Sequence, residues 1–192
     1  RNKMSKEIEK NPIGVIHCTI KGLSSLLMNR PDMTRFKTKE TQGKKSKEYN
    51  VDSEAEMAAY RDEKGFLAIP SYAIHRCMIN GSSGYKAGKR SIMPYISGSI
   101  NILPIMVSLG VKDYEIDLRT VVIQKNRVVK ARPKINDWSA TFEIHYDTRD
   151  IVNTDVIKEI LSEAGRRVGL LDYRPQTKGP FGRFEVTEWH EE

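Results

Sequence analysis

Residues 138–189, WSATFEIHYDTRDIVNTDVIKEILSEAGRRVGLLDYRPQTKGPFGRFEVTEW, decide the fold, because they read as a strand, a helix, a glycine-punctuated loop and a closing strand. Trp138, Ala140, Phe142, Ile144 and Tyr146 alternate with Ser139, Thr141, Glu143 and His145, the period of two that gives a strand one apolar face. Asn153 or Thr154 caps a helix whose first turn holds Asp155, where the helix dipole favours an anion. Val156, Ile157, Ile160, Leu161, Ala164 and Val168 recur at helical spacing, Arg166 and Arg167 fill the last turn, and Gly169 follows. Phe184 to Trp189 then supplies a terminal strand.

Upstream, Ile13–Gly22 (IGVIHCTIKG) is a β-branched strand with Ile16, Cys18 and Ile20 on one side and Val15, His17 and Thr19 on the other. Residues 29–64 lose apolar content and read as a long insertion, with a helical turn around Glu54 to Tyr60. Pro70 suits the first turn of a helix that buries Ala73, Ile74, Cys77 and Met78. Tyr85 to Arg90 is a flexible basic segment. Ile100–Ser108, with Pro104 inside it, reads as an edge or bulged strand. Tyr114–Gln124 and Arg127–Pro133 form a hairpin joined at Lys125-Asn126. The expected fold is therefore α+β: a ferredoxin-like βαββαβ core in a single domain spanning residues 1–192, with an insertion after the first strand and an extra hairpin.

With 39% apolar residues the chain can bury a core, which excludes a disordered chain. Lys and Arg total 32 against 25 Asp and Glu, a net charge of +7. The distribution is more informative than the sum. No acid occurs from Gly65 to Lys112 or from Leu118 to Asn136, and Arg30 to Lys47 holds seven cations against Asp32 and Glu40. Such blocks imply either a track for a polyanion or solvated faces on a basic protein. Cys18 and Cys77 lie in apolar runs and read as buried small hydrophobes in a reducing cytoplasm. No apolar run reaches the length of a membrane span, so no membrane partner is expected.

The four histidines are scattered and no cysteine pair has ligand spacing, so neither a metal nor a cofactor is expected. In the loop after Gly169, Arg174, Lys178 and Arg183 stand among glycines with Tyr173 and Phe181, cations for phosphates and rings for stacking. Arg76, Lys86, Lys89 and Arg90 complete the candidate phosphate contacts. His75, next to Arg76, is a candidate general acid or base on an RNA phosphodiester, or a partly exposed helix residue.

A strand, a long insertion, Leu67-Ala-Ile-Pro-Ser-Tyr-Ala-Ile74 opening a helix, and a glycine-rich loop before a terminal strand resemble the repeat-associated mysterious protein superfamily of CRISPR systems. Ile69-Pro70-Ser71 resembles the family's Pro-Gly-Ser segment without its glycine, and Gly169, Gly179 and Gly182 resemble its glycine-rich loop at altered spacing. The resemblance implies an RNA-recognition-motif-like fold and, most closely, a backbone subunit that oligomerises along single-stranded RNA. It implies a thumb-like role for residues 29–64 and a second flexible contact at Tyr85 to Arg90. A phage-encoded nucleic-acid-binding relative fits the same features, with RNA or DNA as ligand and other effector subunits as partners. Two further readings share these residues: a metal-independent endoribonuclease using His75, and a protein-interaction module that imitates or caps a CRISPR backbone subunit.

Overall fold

The computed structural model describes residues 12–32, 50–123, 126–151 and 153–192. Strand β1 (Ile13–Gly22) lies inside a four-stranded antiparallel sheet. It pairs with β10 (Ser139–Asp147) on one side and β11 (Phe184–Glu191) on the other, and β10 pairs with β6 (Ile100–Leu103), giving the order β11–β1–β10–β6. The register sets Ile16 against Ile144, Cys18 against Phe142 and Ile20 against Ala140. All six side chains are buried, as their alternation requires.

Helices α2 (Ser71–Gly81) and α4 (Thr154–Arg167) pack together and share the core cluster with this face. The α4 stripe buries Ile157, Ile160, Leu161 and Ala164, and each large member contributes about 1.5–3 kcal/mol by leaving water. The Asn153 side chain accepts the Asp155 amide at 2.9 Å, which caps the helix. The two helices approach closely at Gly81, where a Cβ would lie 2.5 Å from that of Ala164.

A second sheet, β2 (Leu26–Leu27), β9 (Asn126–Ile135) and β8 (Glu115–Ile123), contains the expected hairpin. Helix α1 (Val51–Ala58) packs on β9, and Glu54 accepts the Ala131 amide at 3.0 Å. This helix confirms the expected turn near Glu54; residues 33–49 of the expected insertion, and Lys125 of the hairpin turn, lie outside the described residues.

Two segments differ from their sequence reading. The apolar run 100–108 is two strands separated by a cis Leu103–Pro104 peptide: edge strand β6, and β7 (Met106–Ser108), which pairs with β3 (Ala68–Pro70). Residues Met93–Ser99 form helix α3, which buries only Ile96 of its own residues and so lacks the apolar stripe by which a sequence announces a helix. Strands β4 (Lys86–Ala87) and β5 (Arg90–Ser91) make a small separate hairpin. Among the described residues no helix is long and apolar enough to cross a membrane. The architecture is a mixed α+β fold built on antiparallel sheets.

Candidate nucleic-acid interface

The loop after α4 folds back on itself. The Leu170 amide donates to Gly182 O at 2.9 Å, Gly179 to Arg174 O at 3.0 Å, and Phe181 to Tyr173 O at 3.2 Å. Glycine is required at two of its points. A Cβ on Gly179 would lie 1.8 Å from the Tyr173 carbonyl oxygen, and Gly182 combines φ 72° with a Cβ position 2.1 Å from Leu170 O. These glycines therefore serve the internal packing of the loop. Leu171 and Tyr173 sit at φ 59° and 46°, a conformation that costs a non-glycine residue of order 1–3 kcal/mol.

The loop lies against α2 and the two enclose a cavity of about 290 Å³. Arg76, Tyr72, Ala73 and Asn80 line it from the helix, and Val168, Leu171, Asp172 and Arg174 from the other side. Tyr60 and Tyr72 are also walls of a second cavity of about 270 Å³, beside Arg30, Arg61 and Met106. The two cavities share this pair of tyrosines, where the Tyr72 hydroxyl donates to that of Tyr60 at 3.3 Å, and the two together are here called the groove. Burial pushes the Tyr60 hydroxyl well above its ordinary range, so it stays protonated at neutral pH.

The groove is electropositive because its cations and anions are not equally available. Asp172 is neutralised by Arg132, whose Nη1 donates to it at 2.7 Å. Arg174 is held by neutral acceptors only: Leu171 O at 2.8 Å and Gln176 Oε1 at 3.0 Å, while Gln176 also accepts from Asn80 at 3.2 Å. Arg76 is exposed and its side chain has no hydrogen bond or ion pair among the described residues. Arg61, in contrast, is committed to Glu56 at 2.6 Å and to the Gly65 and Lys112 carbonyls, and this pairing holds the Glu56 carboxyl below its ordinary range. Two positioned guanidinium groups without carboxylate partners, beside two rings, are the donor set that phosphates and bases of a single strand use.

The structure brings together only part of the expected site. Arg76 and Arg174 share the groove, although they are 98 positions apart in the sequence. Lys86, Lys89 and Arg90 lie exposed on the β4–β5 hairpin, whose preceding residue Tyr85 donates to Glu159 of α4 at 3.1 Å, and none of them lines the groove. Lys178 is exposed at φ 63°, and Arg183 donates to the Arg166 carbonyl at 2.9 Å, closing the C-terminal end of α4. Tyr173 is 40% exposed and rests on Phe181, their centroids 6.0 Å apart. Phe181 is buried, with the Arg119 guanidinium 5.1 Å over its ring, so it supports Tyr173 and presents no free stacking face. His75 does not line the groove; its Nε2 lies 3.1 Å from the Ile96 carbonyl on α3. Tyr60 and Tyr72 carry no signal in the sequence, where each is an isolated tyrosine at the edge of a helix.

The face of the four-stranded sheet turned away from α2 and α4 differs sharply from the groove. An RNA-recognition motif stacks bases on aromatic residues of that face. Here the outward positions are Thr19, Thr141, Glu143 and His145 with Lys21 across from Glu185, and the rings on this face are histidines, with no Phe, Tyr or Trp among the described outward residues of β1 and β10. His17 and His190, scattered in sequence, are paired across the same face, where His17 meets Glu192 at 2.8 Å and His145 meets Glu143 at 2.8 Å. The Glu143 carboxyl is held below its ordinary range by that bond. Four glutamates, Glu143, Glu185, Glu188 and Glu192, stand on this face, where the groove presents arginines.

No protein-family model and no curated protein matches the chain. Among solved structures, a chain of the assembly described as "Cryo-EM structure of the Type III-B Cmr-beta bound to cognate target RNA" is similar to it, with a TM-score of 0.56 at 13% identity. The match covers 94% of this chain and 61% of that one. At that identity the likeness is one of fold, and this chain corresponds to about three-fifths of the length of its neighbour.

Proposed function

We propose that this protein binds single-stranded RNA through the α2–loop groove, as a CRISPR-related protein of the repeat-associated mysterious protein type or a phage-encoded relative. The observation that carries this reading is the pairing of Arg76 and Arg174, neither neutralised by a carboxylate, with Tyr60 and Tyr72 in one groove. The strand order β11–β1–β10–β6, with α2 and α4 as the two crossover helices, supports a ferredoxin-like core. The fold likeness to a subunit chain of an RNA-bound Type III-B complex supports the same class. On this reading residues 29–64 act as a thumb-like insertion, Lys86, Lys89 and Arg90 add outlying phosphate contacts, and copies assemble along the strand or with other effector subunits. Binding is then dominated by phosphates, with little base specificity.

The test is fluorescence anisotropy with labelled single-stranded RNA and DNA of about thirty nucleotides over a range of salt. Each phosphate contact on a single strand contributes about 0.7 to the slope of log K against log salt, so the Arg76→Ala, Arg174→Ala pair lowers it by about 1.4. A slope unchanged in the double variant refutes the groove as the binding track.

A further inference from the structure

Within the groove, the larger cavity has features that a phosphate track alone does not need. Its floor and walls include Ala73, Cys77, Val168 and Leu171, all buried or half-buried and apolar, with Tyr72 standing 63% exposed at the rim. A bare polyphosphate path calls for cations on an open surface. An apolar recess with a ring at its mouth calls for a flat, weakly polar group. At about 290 Å³ the cavity sits at the low end of the roughly 300–1,000 Å³ occupied by small-ligand pockets. Its polar groups are few and sit around that recess: Asn29 and Asn80 as amides, Asp172 as a carboxylate with one oxygen bonded to Arg132, and the two arginines.

We propose that this cavity is a single-nucleotide site: one base is taken out of the strand and inserted beside Tyr72 over the apolar floor, and its phosphate is held by Arg76 and Arg174. The inference rests on the RNA-binding reading above and deepens it. Asn80 lines the cavity and already donates one hydrogen to Gln176, which leaves its carbonyl oxygen as an acceptor to offer. The Asn29 amide has both a donor and an acceptor to offer a base edge, and the second oxygen of Asp172 adds an acceptor. Such a site prefers a strand that carries bases over one that carries only sugar and phosphate. The same chemistry is present in a free nucleotide, so a mononucleotide is a second source of ligand for it.

Affinity for a single-stranded RNA of about twelve nucleotides is compared with affinity for an abasic ribose-phosphate strand of equal length and charge, in the parent, in Tyr72→Ala and in Ala73→Leu. Tyr72 is exposed, so its truncation leaves the core intact; Ala73→Leu fills the recess without changing charge. The parent is expected to prefer the strand with bases by roughly 5- to 150-fold, the range of one base–aromatic stack. Both variants are expected to lose most of that preference, their affinity falling far more for the strand with bases than for the abasic strand. Equal affinity of the parent for both strands, or an unchanged preference in both variants, overturns the nucleotide site and leaves RNA binding standing. Failure of the parent to bind either strand at low salt overturns the RNA-binding reading itself. Competition by UMP or AMP that depends on Tyr72 supports the site and identifies a free nucleotide as a sufficient ligand. Competition that is absent, beside a base preference that depends on Tyr72, supports it with the strand as the source.

Discussion

Replacing Arg132 by methionine tests what holds the groove wall in place. Arg132 is a buried residue of β9, and its guanidinium donates to Asp117 at 3.2 Å and to Asp172 at 2.7 Å. It thereby ties the second sheet to the loop that carries Arg174. Asp117 is itself nearly buried and retains only Arg119, at 2.8 Å, when Arg132 is gone. Hydrogen bonds to charged groups are worth about 1.5–3 kcal/mol each, and removing one partner of a buried ionic cluster costs roughly 3–5 kcal/mol. Asp172 is partly exposed and can recover some hydration, and the Arg132 Nε is buried without a partner, so its desolvation is not repaid. Both facts place the expected loss near the lower figure, about 3 kcal/mol. Methionine keeps the packing of the aliphatic stem, so the loss reports charge and not a cavity. Urea unfolding followed by circular dichroism measures it directly. In a domain of this size it corresponds to a fall in Tm of about 6–12 °C. A loss below about 1 kcal/mol refutes the claim that this cluster fastens the loop to the sheet. A second variant, Asp172→Asn, added to Arg132→Met should cost far less than the sum of the two singles, because they share one interaction.

Gly179→Ala places a Cβ against the Tyr173 carbonyl, a backbone atom that cannot move aside, and is expected to cost about 1–3 kcal/mol in urea unfolding while weakening RNA binding through displacement of Arg174. Burial pushes the thiols of Cys18 and Cys77 up to about 12, so neither reacts with a disulfide reagent at pH 8 until denaturant is added. The folded state keeps those thiol protons where the unfolded chain loses them, so this contribution to stability is complete below about pH 9 and is lost as pH rises towards about 12. Charge reversal of both Lys89 and Arg90 is expected to lower RNA affinity and reduce the salt slope by at least about 1.4, whereas an unchanged slope removes the β4–β5 hairpin from the track.

What the sequence determined by itself is local. The alternation in Ile13–Gly22 and Trp138–Tyr146 and the stripe of α4 were legible because backbone geometry alone sets periods of 2 and 3.6. The short elements were not: β2, β3 and β7 are two or three residues long, and α3 buries only one of its own residues, so no period develops in them. The glycine-rich loop announced itself, but its glycines proved to answer a close approach of backbone to Tyr173 and Leu170 that only the folded loop creates. Phe181 and Tyr173 look equivalent as rings in a basic segment, yet the turn of the loop sends one inside and leaves the other at the surface. The same holds for charge. Arg174 and Arg183 are alike in sequence, but one faces Arg76 across the groove and the other closes the end of α4. Tyr60, Tyr72, Arg76 and Arg174 become neighbours only when the loop after α4 closes against α2. That adjacency depends on the packing of the two helices over the sheet, a relation between distant segments that no period within either one can encode.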